Sequence, residues 1–132
     1  MSISLPPEPC PPVPRRSTVR VRDQQVVIEC PPWCVTAHED ASDALLDDVV
    51  HESAPTALSV PSSSSDQERV LIVRLVQWPF ADQESDRRVS LSLEIAEDSD
   101  VVQLDASLAS SVAKGMEEHA ARLRKLAEVV TS

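Results

Sequence analysis

At 132 residues with a formal net charge of −10, the chain has the length of one domain plus tails and the wrong sign for nucleic acid, whose phosphates are held by Lys and Arg. Its only aromatic side chains are Trp33, Trp78 and Phe80, too few for a base-stacking surface, so direct nucleic-acid binding is disfavoured and the core must be built from Val, Leu, Ile and Ala. No run approaches the roughly 20 apolar residues of a membrane span, and the first residues lack the basic and apolar regions of a signal peptide, which together point to a cytoplasmic protein with no membrane association and with reduced thiols.

Residues 1–16 contain six of the eleven prolines. Proline neither continues a helix nor donates to a sheet, so this stretch is expected to be a disordered Pro-rich tail, with Cys10 as a bystander thiol. Residues 17–132 are then a single domain. Thr18 to Arg22 alternates β-branched and charged residues, the period of a strand with one wet face. A turn at Asp23-Gln24 would lead into a second strand over Gln25–Glu29. The pair is expected to form a hairpin, although its turn has no glycine.

Between Val35 and Glu52 lie six carboxylates and no Lys or Arg. Within this acidic segment Ser42 is placed to cap a short helix carrying Leu45, Leu46 and Val49. Thr56–Val60 reads as a short strand, and Pro61 with Ser62–Ser65 as a loop. The serine run has no base at defined spacing, so it is a linker rather than a nucleophile.

Arg69–Trp78 is the strongest strand. Its continuous Val70-Leu71-Ile72-Val73 run suits a central strand buried on both faces. A connection over residues 79–87 precedes Arg88–Ala96, where Val89, Leu91, Leu93 and Ile95 share one face and Ser90, Ser92 and Glu94 the other. Asp100–Leu104 would add an edge strand. From about Ala106 to Val130 apolar residues recur at helical spacing (Leu108, Val112, Met116, Leu123, Leu126, Val130), with Asp105 or Ser107 as cap. Arg122, Arg124 and Lys125 lie late, where they complement the helix dipole. Gly115 falls mid-helix and His119 beside the stripe. The expected fold is therefore α+β: a small antiparallel sheet of about four to six strands, a zinc-bound loop, and one long C-terminal helix packed on the sheet.

The most informative run is Cys30-Pro31-Pro32-Trp33-Cys34-Val35-Thr36-Ala37-His38. Two thiolates and an imidazole within nine residues suit Zn²⁺, which takes four tetrahedral N and S ligands. A helical turn starting after the prolines would place Cys34 and His38 four residues apart on one face. His51 is the nearest further strong ligand, with Glu39, Asp40 and Glu52 as competitors for the fourth position. Trp33 would shield the metal from water. Two other readings stand beside this one: a pair of buried cysteines acting as small apolar side chains, and a redox pair.

The Cys30-Pro31-Pro32-Trp33-Cys34…His38 run, the later His51-Glu52-Ser53, the strands that follow and the terminal helix resemble a family of small actinobacterial proteins, domain of unknown function 6907. Its members carry a C-P-x-W-C…H segment, a second histidine, a β-rich region and a C-terminal helix. The likeness runs from about Val19 to the C-terminus. It implies that Cys30, Cys34, His38 and His51 act together, with Trp33 beside them.

For function, four protein ligands would close the metal sphere and make a non-catalytic, zinc-stabilised interaction or regulatory module, with a protein partner or a second copy of the chain. A zinc hydrolase is the alternative, with Cys30, Cys34, His38 and water on the metal and Glu39 or Glu52 as base. No H-E-x-x-H, P-loop or G-x-S-x-G is present, and the histidines follow the cysteines rather than preceding them as in zinc deaminases. A third reading, resting on net charge alone, is an acidic decoy of a nucleic-acid-binding protein.

Overall fold

The computed structural model describes residues 15–40, 42–43, 45–63 and 66–131. The prolines up to Pro14, Cys10, the side chain of Ser42 and the end of the Ser62–Ser65 run lie outside the described residues. The fold is α+β, as expected, but its strands divide into two sheets.

The first sheet is a hairpin of β1 (Arg15–Val21) and β2 (Gln24–Cys30), paired antiparallel from Arg15 opposite Cys30 to Val21 opposite Gln24. The strand therefore starts at Arg15, inside the stretch read as tail. The turn is Arg22-Asp23, one residue earlier than expected, and both residues have positive φ (47° and 67°). That is the backbone of a two-residue turn whose twist matches the flanking strands, a conformation for which Asn and Gly are the usual occupants. A two-residue strand, β3 (Ser42–Asp43), runs parallel to β1. Val19 and Ile28 turn inward and meet Cys30, Cys34 and Val49, all nearly inaccessible, to form the core of this half.

The second sheet has β6 (Gln67–Gln77) at its centre. On one side it pairs with β7 (Ser90–Ala96), which pairs in turn with β8 (Val101–Leu104). On the other side it pairs with β4 (His51–Glu52) at one end and β5 (Thr56–Pro61) at the other. All these pairings are antiparallel. Ile72, Val76, Leu93 and Leu104 are its buried apolar residues.

Strand β6 is central, but not buried on both faces. A register shift against β5 between Thr56 and Leu58 accompanies Leu71 in the left-handed region at φ 52°, so the Val70–Val73 run does not stay in one plane. Along β7 the expected alternation also breaks: Ser92 is buried while Ile95 is 55% exposed.

The connection after β6 holds a single helical turn, α1 (Glu84–Arg87), closed by Arg87 donating to the carbonyls of Ala81 and Asp82. The last element, α2 (Ala106–Thr131), is capped by Asp105, whose Oδ1 accepts from the Leu108 N–H at 2.8 Å. It touches β7 and β8. None of its residues is buried, so it covers the sheet only in part and leaves much of its apolar stripe open. No helix among the described residues is long and apolar enough to cross a membrane.

Candidate metal centre

The centre forms where the two sheets meet. Cys30 is the last residue of β2, and His51 the first of β4. Between them the chain leaves the hairpin, makes a tight turn in which the Cys34 N–H donates to the Pro31 carbonyl at 3.0 Å, and reaches His38 at the start of a 3₁₀ turn (His38–Asp40). The helical turn expected after the prolines is absent. Pro31 and Pro32 lack N–H groups, and the chain closes one turn at Cys34 and then runs without regular structure until His38. The second expected helix is likewise a single 3₁₀ turn, Leu46–Asp48, started without Ser42. Of its apolar residues only Val49 is buried, with Leu45 and Leu46 exposed.

Four hydrogen bonds pin this loop and the strand it leads into. The Val35 N–H donates to the Glu52 carbonyl at 2.9 Å, holding the loop on β4. The Arg15 guanidinium donates to the Cys34 carbonyl, holding it on β1. The Ser53 N–H donates to the Leu75 carbonyl, and the Leu75 N–H to Ser53 Oγ, which lock β4 on the central strand.

Within this frame the four expected ligands converge. One donor atom from each of Cys30, Cys34, His38 and His51 lies within 4.8 Å of the other three, and all four residues are buried. The group could hold a metal ion. Cys34 Sγ is 3.6 Å from His38 Nε2, and His38 Nε2 is 3.3 Å from His51 Nδ1. The imidazoles are nearly perpendicular, at 88°, so the two facing nitrogens point toward a shared space rather than stacking.

The surroundings prepare these side chains as neutral donors. Burial, reinforced by the neighbouring His38, lowers the His51 pKa to about 4, keeping the imidazole unprotonated at neutral pH. The His51 ring also hydrogen-bonds the backbone of Glu29. With Nδ1 turned toward His38, that bond orients the ring as backbone carbonyls commonly orient metal-ligating histidines. Cys30 is a free thiol whose pKa is pushed up, first by burial and also by the nearby Cys34, against the lowering effect of a hydrogen bond to Ser17 Oγ at 3.5 Å.

Trp33 lies edge-on to His51, with centroids 6.5 Å apart, and packs against the same core. It stands beside the centre as the sequence suggested. The carboxylates considered for the fourth position do not join the group among the described residues. Glu52 instead pairs with Arg74 at 3.2 Å, and Glu39 is exposed. The Asp40 side chain lies outside the described residues. His119 sits on α2 and is not part of the centre.

No curated protein and no solved structure matches the chain. The profile of one family does match, over residues 16–132, a span that takes in both sheets, the Cys/His group and α2. The chain belongs to the family described as domain of unknown function DUF6907.

Proposed function

We propose that Cys30, Cys34, His38 and His51 hold one Zn²⁺ as a closed structural site, and that the domain is a non-catalytic interaction or regulatory module stabilised by that ion. One observation carries the metal assignment. A tetrahedral zinc with Zn–N near 2.05 Å and Zn–S near 2.3 Å requires N···N edges of about 3.35 Å and N···S edges of about 3.55 Å. The separations here are 3.3 Å and 3.6 Å. Two soft sulfur donors beside two imidazoles favour zinc over the oxygen-seeking Mg²⁺ and Ca²⁺.

When bound, the ion would supply a cross-link between the end of β2, the loop and the start of β4. The side chains would do the rest: the thiols give up their protons, His51 presents Nδ1 while its hydrogen bond to Glu29 fixes the ring, and Trp33 screens one side. A set of four protein donors leaves no position for water, and this separates the structural reading from the hydrolase. The candidate bases do not help that alternative, since Glu52 is committed to Arg74 and Glu39 faces solvent. The decoy reading rests on the charge of −10 alone.

The test is His51→Ala, with zinc content and melting temperature measured together. A structural site loses affinity and melts lower. Zinc held at full affinity, with a bound exchangeable water, would overturn the closed-site reading.

A further inference from the structure

Away from the Cys/His group, one face of the second sheet opens on a polar cleft. Arg74, Ser92 and Gln103 stand in a row across β6, β7 and β8, with Ser92 opposite Arg74 on one side and Gln103 on the other. With Glu52, Glu94 and Trp78 they line a cleft of about 390 Å³, whose apolar wall is Val76 and Val101. A second cleft of about 240 Å³ shares Trp78 and Gln103 with the first and adds Asp47 and Asp86. The lining is acidic. It holds four carboxylates against the guanidinium of Arg74, which Glu52 pairs at 3.2 Å. Arg87, next to Asp86, donates to the Ala81 and Asp82 carbonyls and lines neither cleft. A concave surface of one sign concentrates ions of the other.

Two neighbours mark this surface as built for an occupant. Ser92 is only 7% exposed, and a hydroxyl so deeply placed normally finds a partner within the protein. None hydrogen-bonds it among the described residues; its oxygen keeps a little access to solvent and opens on the cleft. Trp78 stands where the two clefts meet, and its N–H donates to the Asp86 carbonyl at 3.1 Å, which fixes α1 beside it. Indole is the aromatic side chain that attracts a cation most strongly.

We infer that this face binds a linear aliphatic polyamine. One terminal ammonium lies at Glu94 and the other at Asp47 and Asp86. The methylenes run over Val101, Val76 and Trp78, and the Ser92 hydroxyl accepts from an ammonium between the ends. Glu94 pairs with Ile72, six positions before Trp78, so the path spans about 20 Å at roughly 3.3 Å per residue. Carboxylates spread that far cannot share one metal ion, whose oxygen ligands lie at about 2.3–2.6 Å. A basic peptide on the same path would bring a backbone N–H and C=O at every residue, with only Ser92 and Gln103 to meet them mid-cleft. A polyamine brings methylenes there, which suit the two valines and the indole.

The test is calorimetric titration of the full chain with spermine at low ionic strength. Zinc content measured before and after keeps loss of metal from the Cys/His group from counting as binding. Spermine should bind one to one, and butylamine, with a single ammonium, should show no saturation over the same range. Glu94→Gln with Asp86→Asn should weaken spermine about tenfold, the scale of two solvent-exposed ion pairs. Glu117→Gln with Glu118→Gln on α2 removes the same two charges and should leave the affinity within about twofold, since charges more than a Debye length away are largely screened. Ser92→Ala breaks no hydrogen bond within the protein, so it should weaken spermine while leaving the melting temperature in place. Absence of saturable binding to the wild type overturns the proposal, as does equal weakening by the two charge pairs, which would show a diffuse ion atmosphere. A pentalysine peptide that binds more tightly than spermine, and loses more on the cleft substitutions, overturns the polyamine as occupant.

Discussion

Replacing Cys34 by Ser should dismantle the first sheet while sparing the second. Cys34 is 2% exposed and sits in a core whose other members are Val19, Ile28, Cys30 and Val49. The three aliphatic side chains contribute about 1.5–3 kcal/mol each by leaving water. A structural zinc bound by four such ligands has an apparent binding free energy of about 10–16 kcal/mol at neutral pH, which becomes folding free energy. Bound as proposed, the ion would be the largest single contribution to this half, comparable with the whole stability of an ordinary domain, about 5–15 kcal/mol. Serine is a poor zinc ligand, so the variant would lose most of this contribution. The β6–β7–β8 ladder shares none of these contacts, and Ile72, Val76, Leu93 and Leu104 remain to hold it. Amide hydrogen exchange separates the outcomes. Protection should collapse across Val19–Cys30 and persist across Ile72–Val76 and Leu91–Leu93, with the same split on adding a chelator to the wild type. Full protection of Val19 and Ile28 in the variant would refute the reasoning.

Metal affinity should rise with pH. Burial holds the Cys30 thiol above its ordinary pKa, so the metal-free site carries thiol protons at neutral pH that the ion must displace. Below the thiol pKa values each displaced proton strengthens binding about tenfold per pH unit, and competition titrations at two pH values check this, a flat profile counting against thiolate ligation. Asp105→Ala should remove the cap on α2 and cost about 1 kcal/mol, seen as a lower thermal midpoint with earlier fraying at Leu108. Gly115→Ala should stabilise α2 by about 1 kcal/mol, because an added Cβ meets nothing within 4 Å; a lower midpoint would show a contact at that face.

Most of the fold was legible because most of its elements are held by local pattern. The β1–β2 hairpin, β7, β8 and α2 lie close to where alternation and helical spacing place them, although along β7 the faces do not follow the alternation and α2 buries none of its stripe. Of the two helical segments expected in the loop, the turn after Pro32 is absent and the helix at Leu45 is cut to the 3₁₀ turn Leu46–Asp48. There the backbone follows constraints the pattern does not encode: the Cys34 N–H reaches back to Pro31, and the Val35 N–H is taken by Glu52, seventeen positions on. The irregularity at Leu71 within β6 was likewise invisible, because it depends on the register of β5. The four residues of the Cys/His group could be singled out for a chemical reason. Thiols and imidazoles are scarce in this chain, and three of the four fall within nine residues. His51 could be singled out only as the nearest remaining histidine; its pairing opposite Gln77 on the central strand is what carries it to the other three.

The most direct measurement is elemental analysis of the full chain purified without added metal or chelator. About one zinc per chain is expected, falling together with the order of β1 and β2 when Cys30 and Cys34 are both changed to Ser. A protein that arrives without metal, and whose double variant keeps β1 and β2 as firmly ordered as before, would contradict the account.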